Sequence, residues 1–151
     1  MNVTPNDHQG GLGKLSDSLK QDIENAIAAC AIVPAKGAAA RIGATITEAL
    51  VKAGWSGEVH LSRESKITIT SAKKGVGLCL QTGNMSRLYA DLLKLQNMFL
   101  SGTIKMGVMV VPSHRAARTL GDNIANADRL MRELSIFHKV IHMPLVVFAF
   151  D

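Results

Sequence analysis

The chain has 151 residues, 47% of them hydrophobic and 19% charged, a balance that suits one globular domain with a sizeable core. Its 17 Lys and Arg exceed its 12 Asp and Glu, for a formal net charge of +5, which permits a polyanionic partner without requiring one. No apolar run approaches the roughly 18–20 residues that cross a bilayer, two distant cysteines argue against a disulfide framework, and six aromatic residues (four Phe, one Tyr, one Trp) are too few for a base-stacking platform.

In chain order, Met1–Gly13 is polar and glycine-containing. It lacks the charged start and apolar middle of a signal peptide. We expect a flexible leader over 1–13, a single folded domain over 14–151 and a cytoplasmic location. Gly10-Gly11-Leu12-Gly13-Lys14 fails as a phosphate loop, because His8 stands at the opening glycine and Leu15 follows the lysine.

Ser16 is placed to cap a helix running to about Ala31, with Leu15, Leu19, Ile23, Ile27 and Cys30 on one face. A second helix is predicted from about Ala38 to Ala53, closed by Gly54, with Ala39, Ile42, Ile46, Ala49 and Leu50 inward. Glu48 is its only acid. Trp55–Leu61, Lys66–Thr70 and Val76–Gln81 then alternate as strands. Turns at Arg63–Ser65 and Ser71–Gly75 join them into a predicted three-strand antiparallel meander.

Thr82-Gly83-Asn84 is a turn into a helix whose inner face carries Met85, Leu88, Tyr89, Leu92, Leu95 or Gln96, and Phe99. Arg87, Asp91, Lys94 and Asn97 fall on the outer face, with Arg87 and Asp91 one turn apart as a weak ion pair. After Gly102, Ile104 and Met106–Val111 form a nearly continuous apolar run ended by Pro112, the pattern of a strand buried on both faces. Strand, helix and strand of this length make a right-handed parallel βαβ unit.

Ser113–Gly121 reads as a polar connection. It follows the carboxyl end of a parallel strand, where open α/β sheets commonly bind ligands, so His114, Arg115 and Arg118 are candidates for phosphate contacts. Asp122 or Asn123 caps a last helix with Ile124, Ala127, Leu130 or Met131, Leu134 and Phe137 inward. His138 and His142 have the spacing of a zinc pair but no third ligand beside them. Leu145–Phe150 is a buried strand. The fold class expected is α/β, a central mixed sheet of meander plus βαβ flanked by helices.

The ordered set L-C-L-Q-T-G-N (78–84), R-L-Y-A-D-L-L-K-L-Q (87–96), G-V-M-V-V-P (107–112) and G-D-N-I-A-N-A-D-R-L (121–130) resembles the core of the BglII/BstYI-type restriction endonucleases of the PD-(D/E)XK nuclease superfamily. The resemblance implies a restriction-endonuclease-like core, Mg²⁺-dependent phosphodiester hydrolysis, double-stranded DNA as partner and a homodimer. The catalytic places it implies fall on Thr70, Cys79 and Gln81. Glu48 lies in the helix that often brings a glutamate to the metal, and is the candidate metal ligand. Lys73, Lys74, Arg115 and Arg118 would steady the backbone phosphates.

Thr70 and Cys79 stand where the pattern has acids. Mg²⁺ is a hard cation that prefers carboxylate, water and phosphate oxygens, and a thiolate is soft, so these replacements weaken a magnesium site. Two functions stay open: a metal-dependent endonuclease, or a silent nuclease-fold protein that binds DNA non-specifically or acts as a dimeric interaction module. A thiol nucleophile at Cys79 is a third idea. No histidine is near it in sequence, and inert packing is the simpler reading.

Overall fold

The computed structural model describes residues 1–151. The elements run β1 (Val3–His8), α1 (Gly11–Lys14), α2 (Asp17–Ala28), α3 (Ala39–Lys52), β2 (Val59–His60), β3 (Thr68–Ile69), β4 (Ser71–Lys73), β5 (Val76–Leu80), α4 (Met85–Leu100), β6 (Met106–Pro112), α5 (His114–Leu120), α6 (Ala127–Ile136) and β7 (Leu145–Phe150). One five-stranded sheet has the order β1-β7-β6-β5-β4, and β2 and β3 make a separate two-stranded sheet. Strands β5, β6 and β7 are parallel, and β1 and β4 are antiparallel at the edges.

Alternation along the strands divides the core into two faces. Val146, Phe148 and Phe150 join Val108, Val110 and Leu78 beneath α2 and α3, whose Ile23, Ile27, Ile42 and Ile46 complete that layer. Leu145, Val147 and Ala149 join Met109, Val111 and Cys79 on the other side, beneath Leu88, Leu92 and Leu95 of α4 and Leu130 and Leu134 of α6. The result is a helix–sheet–helix sandwich, and β6, covered on both faces, is buried at every residue.

Several elements depart from the sequence expectation. Val3–His8 is not a flexible leader: it pairs with β7 from Val3↔Phe150 to His8↔Leu145. Its polar residues hide a strand because it lies at the edge, where Pro5 removes no interior ladder bond. The expected meander divides. Only β4 and β5 pair within the main sheet, through a two-residue turn at Lys74 (φ 48°) and Gly75 (φ 79°), both in the left-handed region that such a hairpin requires. Val59–His60 and Thr68–Ile69 pair with each other instead. Ser113–Gly121 is not a loop but α5, capped by Ser113, whose hydroxyl accepts from Ala116 N at 3.0 Å. The last helix is capped by Asn126 rather than Asp122 or Asn123, and its side chain accepts from Arg129 N at 3.0 Å.

A polar junction ties three elements together at one edge. Asp22 of α2 accepts from Lys73 Nζ at 2.7 Å and from Trp55 Nε1 at 3.3 Å, and Lys73 Nζ also donates to Ala53 O at 2.6 Å.

Candidate active-site cleft

The cleft opens at the carboxyl end of β5. Its cavity of about 630 Å³ is lined by Thr47 of α3, Glu58, Thr68, Ile69 and Thr70 around the small sheet, Leu80 and Gln81 after β5, and Arg87, Ala90, Asp91 and Lys94 of α4. Local chemistry fixes each wall. The N–H of Gln81 donates to Val110 O at 2.9 Å, so the β5 ladder continues to that residue. Gly83 N then donates to Gln81 Oε1 at 2.9 Å, which orients the side-chain amide. Asn84 caps α4 by accepting from Ser86 N at 2.8 Å. Thr82 Oγ1 reaches Ala39 O at 3.1 Å and links this turn to the start of α3.

With its amide so oriented, Gln81 Nε2 donates to Asp91 Oδ2 at 2.7 Å, while Lys94 Nζ lies 2.8 Å from Asp91 Oδ1. Asp91 is buried, with its side chain 10% exposed, and Lys94 at 25% still reaches solvent. Both oxygens of the cleft's buried carboxylate are therefore engaged by side chains of the protein. The Arg87–Asp91 pair expected from helical spacing does not form. Asp91 turns toward the sheet, and the Arg87 guanidinium has no ion-pair or hydrogen-bond partner.

The sequence-predicted residues divide by place. Thr70 and Gln81 line the cleft together. Thr70 Oγ1 accepts from Leu80 N at 3.0 Å, which commits that hydroxyl oxygen to the backbone. Cys79 lies beneath the cleft in the α4 layer, 2% exposed. Burial raises its thiol pKa well above the ordinary value, and the Asp91 carboxylate adds to the rise. It is a neutral packed side chain, not an activated nucleophile. Glu48 is exposed on α3 and lies outside the cleft, which its neighbour Thr47 lines instead.

The four basic candidates lie elsewhere. Lys73 is held by Asp22. Arg115 pairs with Asp151, Nε to Oδ1 at 3.0 Å, and the guanidinium holds that carboxyl below its usual value. Arg118 is exposed beside His114 in a shallow cavity between α5 and α6. Lys74 is exposed at the opposite end of β5. Sequence reasoning missed Asp91, Lys94, Arg87, Glu58, Thr47 and Thr68 as cleft residues. The three-residue spacing in Asp-Leu-Leu-Lys was a usable signal for the Asp91–Lys94 pair.

A model of the restriction endonuclease BglII/BglIII family matches residues 6–150. The chain belongs to that family. Its fold is similar to the crystal structure of restriction endonuclease BglII complexed with a DNA 16-mer, at 13% identity and a TM-score of 0.87, over 99% of this chain and 76% of that one. It is also similar to free BglII, at 14% identity and a TM-score of 0.79, over 100% of this chain and 80% of that one. No curated protein matches it.

Membership of the BglII/BglIII family implies use of a divalent metal ion in general, and the donor set of the cleft tests whether these residues suit one. They do not fit it well. Gln81 Oε1 is taken by Gly83 N, and both Asp91 oxygens are taken by Gln81 and Lys94. Cys79 is a protonated soft donor. Glu58 is the one cleft carboxylate without a protein partner. No three His, Cys, Asp or Glu side chains converge in a way that could hold an ion.

Proposed function

We propose that this protein is a nuclease-fold DNA-binding protein that holds duplex DNA at the cleft without cutting it. One observation carries the reading: the cleft's only buried carboxylate, Asp91, is neutralised by Lys94 and hydrogen-bonded by Gln81, while the neighbouring strand positions are the uncharged Thr70 and Cys79. A carboxylate already neutralised by an ammonium has little charge left for a metal, and hydrolysis of this class needs that metal to polarise the phosphate and activate water. DNA as the ligand is supported by family membership and by the DNA-bound BglII structure, whose fold this chain shares. The net charge of +5 is of the right sign. Arg87, exposed and unpaired at the mouth of the cleft, is the residue best placed to meet a backbone phosphate.

Fluorescence anisotropy with a labelled duplex tests the binding half. Affinity should be the same in EDTA and in Mg²⁺, and log Kd should change steeply with log salt, by about 0.9 per phosphate neutralised. Binding that requires Mg²⁺, or that ignores salt, would overturn the reading. As the resemblance implies, we include a second copy of the chain as partner. The exposed Leu93 of α4 and Ile136, Phe137 and Val140 at the end of α6 supply apolar surface for it. A sedimenting species of one chain at micromolar concentration would remove the dimer from the proposal.

A further inference from the structure

At the other end of β5, a strand length of about 13 Å from the cleft, three lysines converge on a cavity of about 450 Å³. Lys14 is the last residue of α1, Lys74 sits on the hairpin turn, and Lys105 precedes β6. The fold brings the last two together. Lys105 N donates to Gly75 O at 2.7 Å, and the Lys105 side chain runs 3.5 Å from where a Cβ on Gly75 would stand. Ser16 lines the same cavity from the cap of α2.

Within this cavity the positive charge has no local counter-charge. Lys20, Lys73 and Lys94 are each within ion-pair reach of a carboxylate: Glu24, Asp22 and Asp91. Lys14, Lys74 and Lys105 have no such partner, and no acidic residue lines their cavity, whose remaining walls are Ser16, Leu19, Gly75, Val76 and Met106. Three like charges held around one concavity by three separate elements repel one another and raise the local potential for an anion. No aromatic side chain is present to stack a base, so any recognition falls on the phosphates.

We propose that this cavity is a second anion site, distinct from the cleft, that takes a small ligand carrying a chain of two or more phosphate groups. Three positive charges line the cavity, more than the roughly two negative charges of one phosphate group at pH 7, and a condensed phosphate supplies the balance. The phosphate chain could be free or belong to a nucleotide.

The test is calorimetric titration of the full chain with sodium tripolyphosphate and, separately, with ATP, at 150 mM salt. Saturable one-to-one binding is expected. It should weaken about tenfold in Lys74→Gln/Lys105→Gln, the loss of two exposed charge contacts. A charge-matched control, Arg41→Gln/Lys52→Gln on the exposed side of α3, should stay within about twofold. Tighter binding of ATP assigns a nucleotide's phosphate chain, and equal or tighter binding of tripolyphosphate assigns free condensed phosphate. No saturable binding overturns the proposal, as does an equal loss in the control, which would reduce the site to net charge. Displacement of tripolyphosphate by a short duplex, with the duplex weakened by the same two lysine substitutions, would also overturn it and give the triad to DNA.

Discussion

The two ends of β5 hold their lysines in opposite electrostatic states. At the carboxyl end, Lys94 is bound to the buried Asp91, and Gln81 completes the set. At the amino end, Lys14, Lys74 and Lys105 face a cavity with no counter-charge. The lysine of the cleft is already compensated, so a ligand's negative charge meets the unpaired Arg87 at one end and three lysines at the other. The cleft resembles the Asp22–Lys73–Trp55 junction, a lock between elements, more than it resembles an open metal site.

The largest expected effect of breaking that contrast is at Lys94. Lys94→Ala leaves a buried carboxylate with Gln81 alone. Because Lys94 is partly exposed, the cost should be about 1–3 kcal/mol, below the figure for a fully buried pair, measured by urea unfolding. Adding Asp91→Asn should recover much of it, since the uncompensated charge is then gone. A loss under about 0.5 kcal/mol would mean that the pair does not close the cleft.

Next is the separation of the two ends by function. Arg87→Ala should weaken duplex binding and lower the salt slope by about one phosphate contact while leaving stability within about 0.5 kcal/mol. Lys74→Gln should leave duplex affinity unchanged. Anisotropy titrations of both variants at several salt concentrations decide it, and a reversed ranking would move the DNA surface to the lysine end.

A smaller effect concerns the thiols. Cys30 and Cys79 are 1% and 2% exposed, and burial holds the Cys79 thiol protonated. Iodoacetamide at pH 8 should label neither in the native protein and both in urea, read by intact mass. Rapid native labelling of Cys79 would restore the nucleophile reading.

The smallest is a pH effect at the α4–α6 contact. Burial acts to raise the Glu133 pKa, but hydrogen bonds from Tyr89 and Arg129 outweigh it and hold the carboxyl below its ordinary value. Its folded pKa lies below the unfolded one of about 4.3, so its contribution is present above that pH and lost as pH falls through the folded value. The stability gap between wild type and Glu133→Gln should narrow from pH 6 to pH 3 in urea titrations. A constant gap would leave the titration of Glu133 with no part in stability.

Much of the architecture was readable because burial leaves a period. The β6 run, the β7 run and the stripes of α2, α3 and α4 announce themselves by apolar spacing. Val3–His8 did not, since an edge strand with Thr4, Asn6 and Asp7 has no local reason to be extended; its pairing with β7 is the reason. The short β2 and β3 were readable as extended but not as partners outside the main sheet. At the cleft, Gln81 was singled out only through the resemblance to the nuclease pattern, and it does line the cavity. Asp91 was not. A helix aspartate is normally solvated, and its burial depends on an amide ten residues away, a contact that no local pattern encodes.

The most direct test of the central claim, that the cleft is internally neutralised and does not cut, is a supercoiled-plasmid nicking assay at protein excess with Mg²⁺ or Mn²⁺, with EDTA, Gln81→Ala and Glu48→Ala as controls. The account predicts no metal-dependent nicking by folded protein that still binds the duplex. Nicking that requires metal and disappears in Gln81→Ala or Glu48→Ala would contradict it.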